Sequence, residues 1–116
     1  MTFQRKKLGK SGEDAALEYL QKKGYFLIGR NVKLFCGEID LLMKDKKALV
    51  VVEVKTKSNR LFGLPQEEVD FHKKRKLLQL AKALTQKFPD APIRIDVVAI
   101  DESADRVDHI INAVEE

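Results

Sequence analysis

The most constraining stretch of this sequence is a pair of strand-like runs separated by four polar residues. Residues 38–43 read Glu-Ile-Asp-Leu-Leu-Met and residues 48–56 read Ala-Leu-Val-Val-Val-Glu-Val-Lys-Thr, with Lys44-Asp45-Lys46-Lys47 between them. Apolar, mostly β-branched residues fill consecutive positions of the second run, so both of its faces need covering. Such a strand belongs inside a sheet with helices on either side, and the flanking sequence supplies them. Ser11 followed by Asp14 has capping-box spacing and predicts a helix start; Ala16, Leu17 and Leu20 follow at helical intervals, and Gly24 is placed to end the helix. A second helical pattern runs from about Gln66 to Phe88, with a stripe of Leu77, Leu80, Ala81 and Leu84, and Pro89 and Pro92 close it. Extended character at 25–35 and 93–100, and a short strand near 107–111, complete the order α-β-β-β-α-β(-β). That order predicts an α/β fold, a mixed sheet flanked by helices. The longest loop is expected at 57–65.

Side chains alternate along a strand, so Glu38 and Asp40 share one face of the first run, and Glu53 and Lys55 share one face of the second. A turn of two or four residues preserves parity between the strands. In the register this predicts, Glu38 stands opposite Glu53 and Asp40 opposite Val51, with all four polar side chains on one face. Asp40 and Glu53 are then diagonal neighbours, close enough to converge on one ion. Clustered carboxylates in an apolar setting repel one another unless a cation joins them, and a divalent metal with oxygen ligands meets that need. Glu13 continues the stripe of Ala16, Leu17 and Leu20, so it is expected to face the sheet and complete the group.

Composition narrows the partner. The 116 residues carry 22 Lys/Arg against 18 Asp/Glu, a net +4, but 16 C-terminal residues hold one Arg and six acids. A basic body with an acidic segment at 101–116 makes an anionic partner, nucleic acid first, the leading expectation. The chain length fits one domain over 1–116, with 1–10 as a basic N-terminal arm. One cysteine excludes an internal disulfide and a cysteine-based zinc site, and no apolar run reaches the roughly 20 residues that span a bilayer. A reduced, cytoplasmic setting and no membrane association are expected. Neither a Gly-rich phosphate loop nor a Ser/His/Asp arrangement is visible. His109 reads as an ordinary surface residue, and Asp96, which interrupts an apolar strand, as a structural hydrogen-bonding group.

Asp40, twelve intervening residues and then Glu53-Val54-Lys55 resembles the D-x(n)-E-x-K signature of the restriction-endonuclease-like PD-(D/E)-x-K nucleases. The blocks Gly-Glu-Ile-Asp-Leu (37–41), Val-Glu-Val-Lys-Thr (52–56) and Ile-Asp-Val-Val-Ala-Ile (95–100), with Gly12-Glu13 heading a helix, resemble the small bacterial YraN family. The likeness spans about residues 8 to 100. It implies a restriction-endonuclease-like core similar to archaeal Holliday-junction resolvases, and with it a homodimer. Two departures stand out. Gln79 is followed by Ala83 where some relatives have Gln-x-x-x-Tyr, and Ile39 replaces the Pro of the superfamily label.

Carried over by position, the resemblance makes Asp40, Glu53 and the Val54 carbonyl metal ligands, with Glu13 as a helix-borne acid. Lys55 would position or help deprotonate the attacking water. The expected cofactor is Mg²⁺, with Mn²⁺ as a substitute, and the expected activity is endonucleolytic hydrolysis of DNA phosphodiesters, in branched or damaged DNA. The alternative is a nucleic-acid-binding module that keeps the fold without hydrolysis; a weaker one is an assembly subunit with a structural metal. Phosphate contacts are expected from Arg5, Lys6, Lys7, Lys57 and the run Lys73-Lys74-Arg75-Lys76.

Overall fold

The structure, a computed structural model, describes residues 2–57 and 71–114, with side chains described for 12–56 and 71–114. Helix α1 (Thr2–Lys22) leads into three strands, β1 (Phe26–Leu34), β2 (Gly37–Asp45) and β3 (Ala48–Lys57). Helix α2 (Phe71–Lys87) then crosses to β4 (Ile93–Asp101), and β5 (Arg106–Ile110) follows. The strands form one mixed sheet in sequence order, antiparallel throughout except for the parallel pair β3–β4. This is the α/β arrangement that the sequence predicts. Of the loop expected at 57–65, Lys57 ends β3, and the rest, with the onset of α2 at Gln66, lies outside the described residues.

Two apolar layers sandwich the sheet. Ala16 and Leu20 of α1 pack with Leu41, Met43, Val50, Val52, Val98 and Ile100 on one face. Leu77, Leu80 and Leu84 of α2 pack with Leu42, Val51, Ile95 and Val97 on the other. Val50, Val51 and Val52 are fully buried and feed both layers in turn, as an apolar run covered on both faces requires. Truncating a residue such as Leu80 to Ala removes about 2–5 kcal/mol of stability.

The first helix differs from expectation at its start. Ser11 does not cap it, because α1 already runs from Thr2. The segment 2–10, expected as a basic arm, is the first part of this helix. It contains no Pro, and Gln4, Arg5, Lys6, Lys7, Leu8 and Lys10 are good helix formers that outweigh the single Gly9. The C-terminus is as predicted. Gly24, at φ 101°, donates its N–H to the Gln21 carbonyl, and the Tyr25 N–H donates to that of Leu20, the paired bonds of a Schellman cap. Tyr25 then folds into the same apolar layer as Leu20.

The β2–β3 turn holds two residues, Lys46 and Lys47, with Lys46 in the left-handed region at φ 58°. The ladder pairs Asp45 with Ala48 and runs to Leu41 with Val52. Parity is as expected, but the register is displaced by two residues, so Asp40 follows on toward Glu53 and not toward Val51. The alternation also breaks at Asp40. Counting back from Met43 and Leu41 would put Ile39 against α1, yet Ile39 packs with the leucines of α2. Across from it on β1, Asn31 takes a left-handed φ of 50° between the pairs Arg30–Leu41 and Val32–Ile39.

Candidate metal and phosphodiester site

The break at Asp40 and the end of the β2–β3 ladder fall at the same place, and the candidate residues gather there. Beyond the Leu41–Val52 pair the Asp40 side chain takes the place of a backbone acceptor: its Oδ2 receives the Val54 N–H at 2.9 Å. The N–H and C=O of one strand residue point to the same edge, so the Val54 carbonyl also faces the side where the ladder has ended. Glu53 aligns with Val97 on the α2 face and accepts a 2.8 Å ion pair from Lys73 of α2. Glu13 comes from α1, where Arg30 (3.4 Å) and Asn31 (3.3 Å) donate to it. Asp14 binds Arg30 more closely, at 2.9 Å.

The three acids therefore reach the sheet's end from its two faces and its edge, and not from one face as the hairpin parity predicts. Glu38 does not join them: it is exposed and stands across from Lys33 on β1. Lys55 is half-buried two residues beyond Glu53, in register with Ala99. Among the described residues, no three His, Cys, Asp or Glu side chains are posed to share an ion.

The electrostatics show what this arrangement lacks. Asp40 is pushed up to about 6, first by burial and then by the negative charges of Glu53 and Glu13; the Val54 N–H and Lys73 only partly oppose this. A carboxyl in that state is short of positive charge. The available donors are all oxygens, which suits a hard divalent cation such as magnesium.

Gly12 brings α1 close enough for Glu13 to take part. A Cβ on Gly12 would collide with the Thr56 hydroxyl and lie 3.3 Å from its Cβ, so only glycine lets the helix approach the end of β3 this closely. Of the basic run on α2, His72, Lys74, Arg75 and Lys76 are exposed. Lys73 differs, because it precedes Leu77, Leu80 and Leu84 by four, seven and eleven residues and so faces the sheet. Lys73, expected as a phosphate contact, is paired here with Glu53. The signal was present in the sequence as a lysine on the apolar stripe. The backbones of Arg5, Lys6 and Lys7 lie in α1 and that of Lys57 in β3, while their side chains lie outside those described.

A second polar cluster lies on the α1 face, away from these acids. Asp96 is fully buried and accepts from Arg94 Nε (2.9 Å), the Asn112 N–H (3.0 Å), the Tyr25 hydroxyl (3.3 Å) and His109 Nε2 (2.8 Å). Lys23 donates to His109 Nδ1 at 2.8 Å, so the ring proton belongs on Nε2, pointing at Asp96. His109 is thus not a surface residue, its side chain being 1% exposed. It stands beside Val98 on β5, within the layer that α1 covers, and Tyr19 and Tyr25 meet its ring edge-on. Asp96 is the structural group expected. Burial alone would raise its pKa, but the bonds from His109, Arg94 and Asn112 outweigh that and hold it down at about 2.

The block of residues that builds this sheet end is shared with other bacterial proteins. Residues 12–100 match the Uncharacterised protein family UPF0102. The chain belongs to the UPF0102 (YraN) family. It is 39% identical to a UPF0102 protein of Caldanaerobacter subterraneus over 94% of this chain and 95% of that one. Identity to a UPF0102 protein of Bacteroides thetaiotaomicron is also 39%, over 91% and 90%, and to one of Geotalea uraniireducens 40%, over 95% and 91%. The UPF0102 match begins at Gly12, the residue at the α1–β3 contact, and ends with β4 near its last residue. No helix among the described residues is long and apolar enough to cross a membrane.

Proposed function

We propose that this UPF0102 protein is a metal-dependent endonuclease with a restriction-endonuclease-like core, hydrolysing phosphodiester bonds in DNA. The observation that carries the reading is Asp40: a carboxyl at the end of a ladder, raised to about 6 by burial beside Glu53 and Glu13. Asp40, Glu53 and the Val54 carbonyl would hold a magnesium ion, with Glu13 joining them once released from Arg30 and Asn31. A bound divalent ion supplies Lewis-acid activation of water and neutralises phosphate charge. Lys55, on the same strand face as Glu53, would hold the attacking water at its Nζ and direct it at phosphorus. Lys74, Arg75 and Lys76, exposed along α2, would track the phosphate backbone.

A second reading, a nucleic-acid-binding module without hydrolysis, is favoured by one observation: Glu13 and Glu53 are both engaged by cations of the chain itself. One experiment separates the two. Duplex, single-stranded and four-way-junction DNA are incubated with the protein and Mg²⁺ or Mn²⁺, beside Glu53→Ala and Lys55→Ala. Nicking that both substitutions abolish supports the nuclease. Salt-sensitive binding without cleavage supports the module, and cleavage that survives both substitutions rejects the site.

A further inference from the structure

Lys73 is the half-buried cation of the α2 basic run, and its position is built by the helix. It shares the face of Leu77, Leu80 and Leu84, and its Nζ reaches Glu53 Oε2 at 2.8 Å. The Glu53 side chain is only 12% exposed, and that of Lys73 is 36% exposed. This separates the pair from a fully solvated surface bridge, whose contribution water and salt largely remove. The Lys73 ammonium also opposes the negative charges that crowd Asp40. A single side chain thus partly neutralises the acid cluster that a divalent cation would otherwise neutralise.

We propose that Lys73 is an internal counter-ion that competes with the divalent cation for Glu53 and is drawn off it by substrate phosphate, so that metal and nucleic acid bind cooperatively. The inference rests on the metal-dependent reading of the site. In the metal-free protein Lys73 holds Glu53 and lessens the repulsion among the acids. A divalent ion entering alone must displace that ammonium from a half-buried carboxylate, which weakens its binding. A phosphate placed at the start of α2 offers Lys73 an alternative anion, and Glu53 is released to the metal. Linkage makes the effect reciprocal: whatever factor the nucleic acid adds to metal affinity, the metal adds to nucleic-acid affinity. Of the other cations of the run, Lys74 and Arg75 are exposed, and Lys76, also exposed, lies over Gly37 at the start of β2; the ion pair to Glu53 comes from Lys73.

The test is isothermal titration of the full chain with Ca²⁺, with and without a saturating single-stranded oligonucleotide, for the native protein and for Lys73→Met, Lys73→Gln and Lys73→Arg. Without oligonucleotide, Lys73→Met and Lys73→Gln are expected to bind Ca²⁺ about tenfold more tightly than the native chain, the scale of one charge-assisted hydrogen bond. Lys73→Arg, which keeps the charge, should stay near the native value. Oligonucleotide should tighten Ca²⁺ binding to the native chain and change it little in the two neutral variants. The glutamine variant preserves a polar end and guards against misfolding of the methionine one, with circular dichroism as the check. Unchanged or weaker Ca²⁺ binding in both neutral variants overturns the proposal, as does an equal oligonucleotide effect in all four proteins. If Glu53→Gln leaves native Ca²⁺ binding intact, or the native chain binds none, the metal site itself is wrong and this inference falls with it.

Discussion

Replacing Asp96 with Asn tests whether the buried cluster on the α1 face is an energetic keystone of the sheet. The carboxylate accepts four side-chain or backbone donors besides a second bond from Arg94, and none of its surface meets water. Its pKa falls from 3.8 to about 2, which at about 1.4 kcal/mol per pH unit amounts to about 2 kcal/mol of stability from ionisation alone. The amide adds a further penalty, because its NH₂ must face donors from Arg94 or His109. Removing one partner of a buried charged set costs about 3–5 kcal/mol. The whole loss is therefore expected in that range, read by urea unfolding at pH 7. The pH dependence has a definite sign. A depressed carboxylate pKa contributes stability that is complete above about pH 4 and disappears as pH falls through about 2. The native chain should lose that increment over this window, and Asp96→Asn should not. A double-mutant cycle with Arg94→Met should show coupling above about 1 kcal/mol. A loss below 1 kcal/mol for Asp96→Asn, or parallel acid profiles, would refute the reasoning.

Asp40→Asn should separate stability from activity. In EDTA, the raised pKa means that stability falls as pH climbs from about 4 through about 6, so at pH 8 the variant should be more stable by about 1–3 kcal/mol after allowance for solvent screening. Thermal melts at pH 8 and pH 4 check this: the advantage should vanish at the lower pH, while divalent-ion binding is lost throughout. Gly12→Ala should destabilise the chain by about 1–3 kcal/mol through its collision with Thr56, and adding Thr56→Ala should restore most of the loss in the same melts.

The parts of the fold legible in the sequence are those set by local chemistry. The stripe Leu77–Leu84 names its own helix face, Gly24 ends α1, and the valine run at 50–52 announces a strand covered on both sides. Hairpin parity was also readable, since it depends only on an even turn. The register was not, because choosing Lys46-Lys47 as the turn places a lysine at positive φ, which residue preferences disfavour. Ser11 misled because capping residues tolerate helix interiors when the preceding turns are themselves good helix. His109 and Asp96 are thirteen residues apart and meet only through β4–β5 pairing, so no local pattern marks them. Lys73 is marked by its place on the Leu77–Leu84 stripe, but its partner Glu53 is not, since the two meet only where α2 packs on the sheet.

The Val54 amide carries a last consequence. Its proton is held by a carboxylate oxygen of Asp40, where the neighbouring residues along the ladder meet backbone carbonyls. That makes one resonance a reporter of the whole site. In EDTA its proton shift should follow the Asp40 carboxyl through a titration near pH 6, and its hydrogen exchange should be governed by a side chain instead of by strand separation. Any ligand that engages Asp40 will move this peak before it moves the core. A screen for substrates of this family therefore needs no assay of turnover, only one labelled valine.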